Sequence, residues 1–590
     1  MKAVLMLGLA ALCVGVTSCR DGLNEDAKFV VLANRCLDAW RALDPEWASS
    51  LGDHRFDAQL TDRSETGVER RRAFARAYLD SLGALDETKL LADNRIDRRI
   101  LMTNLESAVY SAETLREHSW NPLVYNAGGA LYALVARDFA PLADRLRAVK
   151  GRLEAMPAVM AAARANLAHP PRIHVETAIL QNDGLIGLVR NELEPFLEQE
   201  PALREELAPA RAAAIAALEA YGRWLRDDLL PRADGDFRLG AERFGRKLGY
   251  ALESDLTPEQ ILESAKRDLD TTQKEMVELA RSLYAQQFPD AVNKRAPTDQ
   301  DLVRAVLGRL AEARPANDTI VARAEADLAA CTAFVREHDL MTVPDEPISI
   351  IVMPEYQRGV AVAYCDASGP LEARQQTFYS ISPTPSDWTP ERTESFYREY
   401  NDHMLQILTI HEAMPGHYLQ GMHANRFRAP TLTRAILANG PFVEGWATYA
   451  EQLMTGEGYG GPAVRMQQLK MRLRLIINAM LDQGVHVHGM SEQQAMDLMM
   501  TEGFQEEGEA AGKWRRACLT AAQLSTYYVG NLEINRLRDD YATRHGGLNF
   551  GQTRVFHDKL LSFGAPAPRY LPELMGMGPL GPWRPGRWRT

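Results

Sequence analysis

The sequence predicts a mainly α protein: one large helical body interrupted by a small β-sheet. Three observations carry this. Long Ala-, Leu- and charge-rich segments repeat their apolar residues at helical spacing. A single region, about residues 346–382, is instead short-period, β-branched and aromatic between Pro, Gly and Ser. No Pro/Gly-rich linker divides the rest. With 46% hydrophobic and 25% charged residues, the composition is that of an ordinary globular chain. The formal net charge of −12 argues against nucleic acid as a partner, because a duplex demands a basic face.

Residues 1–18 form an early Lys2, an apolar run and small residues, which is the pattern of an export signal. Val16-Thr17-Ser18-Cys19 resembles the lipobox of bacterial lipoproteins. That likeness implies an exported protein whose mature chain begins at a lipid-bearing Cys19, in the periplasm or at the cell surface. No later apolar run is long and uncharged enough to span a bilayer, so the expected membrane association is the lipid anchor alone. Residues 19–30 read as a tether and 31–575 as one helical domain. Cys36, Cys331, Cys365 and Cys518 are far apart with no C-x-x-C pair, and separate thiols are expected rather than a zinc ribbon.

Within the domain, helices come first. ALREELAPARAAAIAALEAYGRWLRDDLL, from Ala202, has helical periodicity. Thr257-Pro258-Glu259-Gln260 reads as an N-cap, an N1 proline and a capping-box glutamine. ANDTIVARAEADLAACTAFVREHDL predicts another long helix ending near Leu340. EPISIIVMP, GVAVAYC and QQTFYSIS follow as strands, closed by Pro383, Pro385 and Pro390. Helix resumes near Glu391 and continues in segments to about Arg544. Residues 576–590 form a Gly/Pro-rich tail.

The chemistry centres on HEAMPGHYLQ, His411 to Gln420. Four steps along an α-helix return side chains to within about 40°, whereas six leave them about 120° apart. His411 and His417 therefore cannot share a face of an unbroken helix. Pro415 cannot donate to the carbonyl of His411, and Gly416 tolerates almost any backbone conformation. Together they predict a local bulge or kink that re-aims His417 toward the same ion. A catalytic zinc takes three protein ligands and keeps one position open. Downstream, GPFVEGWATYAEQL offers Glu444 and Glu451 as a third ligand. Glu412, beside the first histidine, is placed to act as general base toward a zinc-activated water.

HEAMPGHYLQ and PFVEGWATYAEQL resemble signatures of the bacterial domain of unknown function 885 family, itself similar to gluzincin metallopeptidases. DAWRALDPEWASSLGDHRFDAQLTD, LDQGVHVHGMSEQQAMDLM, QLSTYYVGNLEINRLR and FHDKLLSFG resemble other family segments in order, over about residues 30–575. The resemblance implies zinc on His411, His417 and Glu444, Glu412 as base, and a gluzincin-like architecture with the small sheet beside the active-site cleft. It also places Tyr527 where the family has its tyrosine, although AAQLSTYYVG lacks the Pro-Gly that precedes the family's glutamine. Tyr527 and His486 are the candidates to stabilise charge on a substrate oxygen. His403, His423 and His557 have no ligand spacing and read as structural or surface residues. TFYSIS, Thr377 to Ser382, is the candidate edge strand for an extended substrate. The expected function is a zinc hydrolase, most simply a peptidase on short peptides. The alternatives are a metal-containing binding protein and a hydrolase of a non-peptide amide or ester.

Overall fold

The computed structural model describes residues 24–289, 297–353, 362–549 and 551–580 of the chain. The signal segment with Cys19 and the last ten residues lie outside the described residues. Among the described residues, mainly helical structure surrounds one small sheet. The helices used below are α1 (Glu25–Leu43), α2 (Ala92–Tyr110), α3 (Pro201–Trp224), α4 (Gly240–Leu252), α5 (Pro258–Gln287) and α6 (Ile320–Glu337). After the sheet come α7 (Asp402–Glu412), α8 (His417–Arg426), α9 (Gly440–Gly456), α10 (Gly461–His486), α11 (Glu507–Leu519) and α12 (Ser525–His545).

Helix α1 starts at Glu25, inside the expected tether. Asn24 caps it, and Phe29 is already in the core. Thr257 and Gln260 make the reciprocal capping box at the start of α5, so two backbone donors that the helix leaves open are satisfied by side chains. Among the described residues, no helix is long and apolar enough to cross a membrane. The four described cysteines are free thiols, all buried except the half-buried Cys365.

The sheet has three strands: β1 (Ile348–Val352), β2 (Ala363–Asp366) and β3 (Thr377–Ile381), in the order β1-β3-β2. β3 pairs parallel with β1 and antiparallel with β2, and all five of its residues are buried. The expected edge strand is therefore the central one. Its run of apolar and small residues fits a strand covered on both faces, with its hydrogen-bonding edges taken by neighbours.

The core beneath the sheet joins α6, α7, α9 and α12, through Ile320, Tyr379, Ile407, Ile410, Trp446 and Ile534 among others. Helices α9 and α12 cross closely. A Cβ on Gly445 would lie 2.3 Å from the Gly530 carbonyl carbon, and one on Gly530 would lie 1.9 Å from the Pro441 carbonyl oxygen. A second core ties the two ends of the chain together, placing Phe29, Cys36 and Leu101 with Ile436, Leu437 and Tyr570.

Candidate metal centre

The HEAMPGH segment resolves the spacing problem by ending one helix and starting another. α7 stops at Glu412 and α8 begins at His417, so the bulge or kink expected inside a helix is a complete break. The four residues between are held by specific bonds. The Ala413 and Met414 amides both donate to the Thr409 carbonyl at 3.0 Å, and the Gly416 amide donates to the Ile410 carbonyl at 2.8 Å. The Met414–Pro415 peptide is cis. Trp446 Nε1, from α9, donates to the Pro415 carbonyl at 2.8 Å. Gly416 passes so close to α7 that a Cβ would lie 1.9 Å from the His411 carbonyl oxygen. Only glycine fits there.

The result brings His411, His417 and Glu444 together, with one potential ligand atom from each lying within 4.8 Å of the others. His411 Nε2 is 3.6 Å and His417 Nε2 is 3.5 Å from the same Glu444 oxygen, Oε2. The two rings are nearly perpendicular, 87° apart, with centroids 4.7 Å apart. A tetrahedral zinc with bonds of about 2.0–2.1 Å has ligand–ligand edges of about 3.4 Å. The glutamate–histidine separations match that scale. Glu444 Oε2 and His417 Nδ1 are buried and have no hydrogen-bond partner among the described residues. The donor set and the orphaned glutamate oxygen fit a small cation.

The expected fallback ligand, Glu451, has a different position. Completely buried two turns beyond Glu444, it accepts from His411 Nδ1 at 2.7 Å. That bond fixes a proton on Nδ1, so Nε2, on the Glu444 side, is the nitrogen that would meet a metal. Burial disfavours a charged His411, but Glu444, Glu451 and Glu412 outweigh it and raise its pKa well above the usual imidazole range. Burial also opposes ionisation of Glu444, and the two histidines overcome it, holding that carboxyl below the usual range. The pocket favours positive charge.

Glu412 does not share the histidine–glutamate cluster. Its Oε2 accepts from the Cys365 amide of β2 at 3.0 Å. β2 is thus the strand whose outer edge faces the site. Tyr527 stands at the start of α12, one turn before the Gly445–Gly530 crossing. Its hydroxyl accepts from Arg516 Nη2 at 3.0 Å and from Gln523 Nε2 at 3.4 Å. Burial raises its pKa, and the Glu444 carboxylate adds to the effect.

His486 goes elsewhere. It is buried at the end of α10, stacked on Phe244 with ring centroids 5.9 Å apart, and Nε2 faces the Ala517 and Thr520 carbonyls at 2.9 and 2.8 Å. Both acceptors are backbone, so its role here is to hold α10 against α11. Among the histidines read as structural or surface residues, His557 is buried between Tyr449 Oη and the Leu340 carbonyl, both at 2.8 Å, and His423 Nε2 donates to the Thr342 carbonyl. Sequence reasoning missed the Cys365 amide, because a backbone group carries no residue signature. It also missed Arg516. The pairing of Glu451 with His411 had a legible signal: seven residues put Glu444 and Glu451 on one face of α9.

The family model described as bacterial protein of unknown function (DUF885) matches residues 45–575. No curated protein matches the chain in sequence. Among solved structures, a candidate lipoprotein of unknown function from Shewanella oneidensis is 32% identical. It covers 93% of this chain and 99% of its own, with a TM-score of 0.78. A candidate lipoprotein from Colwellia psychrerythraea is 18% identical over 94% of this chain and 99% of its own, at a TM-score of 0.75, a likeness of fold. Metallocarboxypeptidase 1 of Trypanosoma cruzi aligns over 95% of this chain and 97% of its own at 11% identity. Its TM-score of 0.38 is too low to carry weight.

Proposed function

The chain belongs to the DUF885 family of bacterial proteins of unknown function, and from that membership we propose that it is a zinc-dependent hydrolase acting on short peptides. The observation that carries this reading is the convergence of His411, His417 and Glu444, with Glu412 beside them on its own hydrogen bond. His411, His417 and Glu444 would hold the metal, with Glu451 fixing the His411 tautomer. When bound, zinc supplies Lewis acidity, which acidifies water and polarises a carbonyl. Glu412 takes the proton from the attacking water and passes it to the leaving amine. The Cys365 amide orients the Glu412 carboxyl through its 3.0 Å hydrogen bond. Tyr527 already accepts from Arg516 and Gln523, so its own hydrogen is left to donate toward a developing oxyanion. The outer edge of β2 is the place for an extended peptide, in place of β3.

The test begins with metal content. Purified protein should hold about one zinc per chain, and His411→Ala, His417→Ala and Glu444→Ala should each abolish it. A peptide library assayed with and without chelator then reads activity. Full zinc without turnover on peptides would leave a binding protein or a hydrolase of other amides or esters, and would sink the peptidase reading.

Both bacterial structural neighbours are described as candidate lipoproteins, which supports Cys19 as a lipid-bearing first residue of an exported chain. Cys19→Ala should move the protein out of the membrane fraction or block its processing. Unchanged membrane association in that variant would overturn the anchor.

A further inference from the structure

Beside the metal cluster lies a group of cations that the proposed chemistry does not use. Helix α11 presents Lys513 and Arg516 three residues apart, on one face. Arg516 joins that face to the metal site through its 3.0 Å bond to Tyr527. Tyr527 in turn precedes Gly530 by one turn of α12, and Gly530 packs against Gly445, the neighbour of Glu444. Asn531 Nδ2, four residues after Tyr527, donates to Thr448 Oγ1 on α9 at 3.2 Å, confirming which face of α12 meets the Glu444 helix.

Among the described residues these cations are short of directly paired counter-charge. Arg516 donates to two neutral acceptors, Gln523 Oε1 at 2.8 Å and the Tyr527 hydroxyl. Lys513 Nζ has one ion pair, Glu509 Oε1 at 3.9 Å, and donates no hydrogen bond among the described residues. Its side chain is only 11% exposed. Glu509 is already engaged: Tyr400 donates to Oε2 at 2.8 Å, and Arg474 Nη1 lies 3.6 Å from Oε1. Arg474 and Lys470 share the other buried carboxylate, Glu399, at 2.5 and 2.8 Å. Lys513, Arg516, Arg474 and Lys470 thus stand against Glu509 and Glu399, and Glu444, which also steadies the Lys513 charge, belongs to the metal cluster. Burial lowers the Lys513 ammonium to about 8, against the opposing pull of Glu509. A buried ammonium with three donors and no hydrogen bond is costly unless something anionic joins it.

We infer that Lys513 and Arg516 form a carboxylate-binding subsite of the metal cleft, so that the substrate is a peptide bearing a carboxylate near the scissile bond. Arg516 offers the planar fork that suits a carboxylate, and Lys513 a point charge one turn away. The carboxylate is either the free C-terminus or an acidic side chain. This inference rests on the reading of the chain as a peptide hydrolase with His411, His417 and Glu444 at its centre.

The experiment uses the full-length mature protein with zinc restored. Matched peptides are compared as free acid and C-terminal amide, and with Asp or Glu exchanged for Asn or Gln. A loss of tenfold or more in kcat/KM, expressed mainly in KM, is expected for one exchange. The amide arm identifies the C-terminus, and the Asn/Gln arm identifies a side chain. Lys513→Met and Arg516→Gln should bring the acid-to-neutral ratio toward one while zinc content stays at one per chain. Lys513→Arg should restore the preference. Binding of the same pairs to zinc-loaded Glu412→Gln by calorimetry reads the subsite without turnover. If no peptide is cleaved but the acid binds tenfold tighter than its neutral partner, the hydrolase reading fails and the subsite stands. Equal binding and equal cleavage of acid and neutral partners overturn the subsite.

Discussion

Gly416 is the residue on which the metal centre turns. Its missing Cβ lets the chain pass the His411 carbonyl and re-enter helix with His417 aimed at Glu444. The HEAMPGH spacing made this legible: a proline and a glycine at the point where helical geometry fails must serve the failure. What the spacing did not reveal was its form. A bulge and a full break both re-aim a side chain, and the choice depends on Trp446 reaching the Pro415 carbonyl from a helix about 30 residues away. Gly416→Ala should weaken zinc binding at least tenfold with the rest of the fold retained, because the clash is with backbone that also carries the first ligand. Pro415→Ala should do less, since the Trp446 bond is to a carbonyl that any residue supplies. Metal titration of both variants checks the order, and native affinity in Gly416→Ala would defeat it. Glu444 and Glu451 could not be ranked from one helix face alone. Their difference lies in depth: Glu451 is fully buried against His411 Nδ1, and Glu444 is half-buried at the ligand edge.

At the scale of elements, the helices were legible because capping and apolar periodicity are local, as the Thr257 capping box illustrates. Strand order was not, because pairing is non-local; nothing in TFYSIS says which neighbours take its two edges. The end of α4 and the middle of α12 carry a pH-sensitive joint. Glu253, just past α4, accepts from Tyr570 Oη at 3.1 Å, and it also bonds Asn439, the N-cap of α9. Glu533 of α12 accepts from Ser254 Oγ at 2.6 Å. Burial raises both carboxyls to about 7, against hydrogen bonds that favour ionisation. A carboxyl whose pKa is higher in the folded state binds more protons there, so its contribution is favourable at low pH. That contribution fades as pH rises from the ordinary value of 4.5 through about 7. The change is on the order of 3 kcal/mol per group at most. Glu533→Gln should therefore lose part of the decline in denaturant stability that the parent shows between pH 5 and pH 8. Parallel pH profiles for the two proteins would refute the assignment.

At the scale of the whole molecule, the segment between the second and third ligands is fastened to the far end of the sequence. Arg434 Nε pairs with Asp97 of α2 at 2.6 Å, both side chains 1% exposed, and the Thr431 hydroxyl donates to the other Asp97 oxygen at 2.5 Å. Asn34 of α1 bonds the Pro430 carbonyl and the Leu432 amide. Removing one partner leaves the other charge buried alone, so Asp97→Ala should cost about 3–5 kcal/mol. Asp97→Ala with Arg434→Met should recover much of that, and chemical denaturation of the two variants measures the difference. This clamp also has a temporal consequence. The three ligands lie within 34 residues, so sequence distance alone would let the site assemble early and locally. The clamp spans more than 330 residues instead, and contacts of such separation close late because a long loop must be brought together first. Both histidines can meet as soon as α7 and α8 form, while the segment that leads into α9 and Glu444 is fixed only when Asp97 docks on Thr431 and Arg434. Tight metal uptake is then expected late in folding, and a chain lacking the residues before α3 should bind zinc more weakly than the full chain, which metal titration of the two checks.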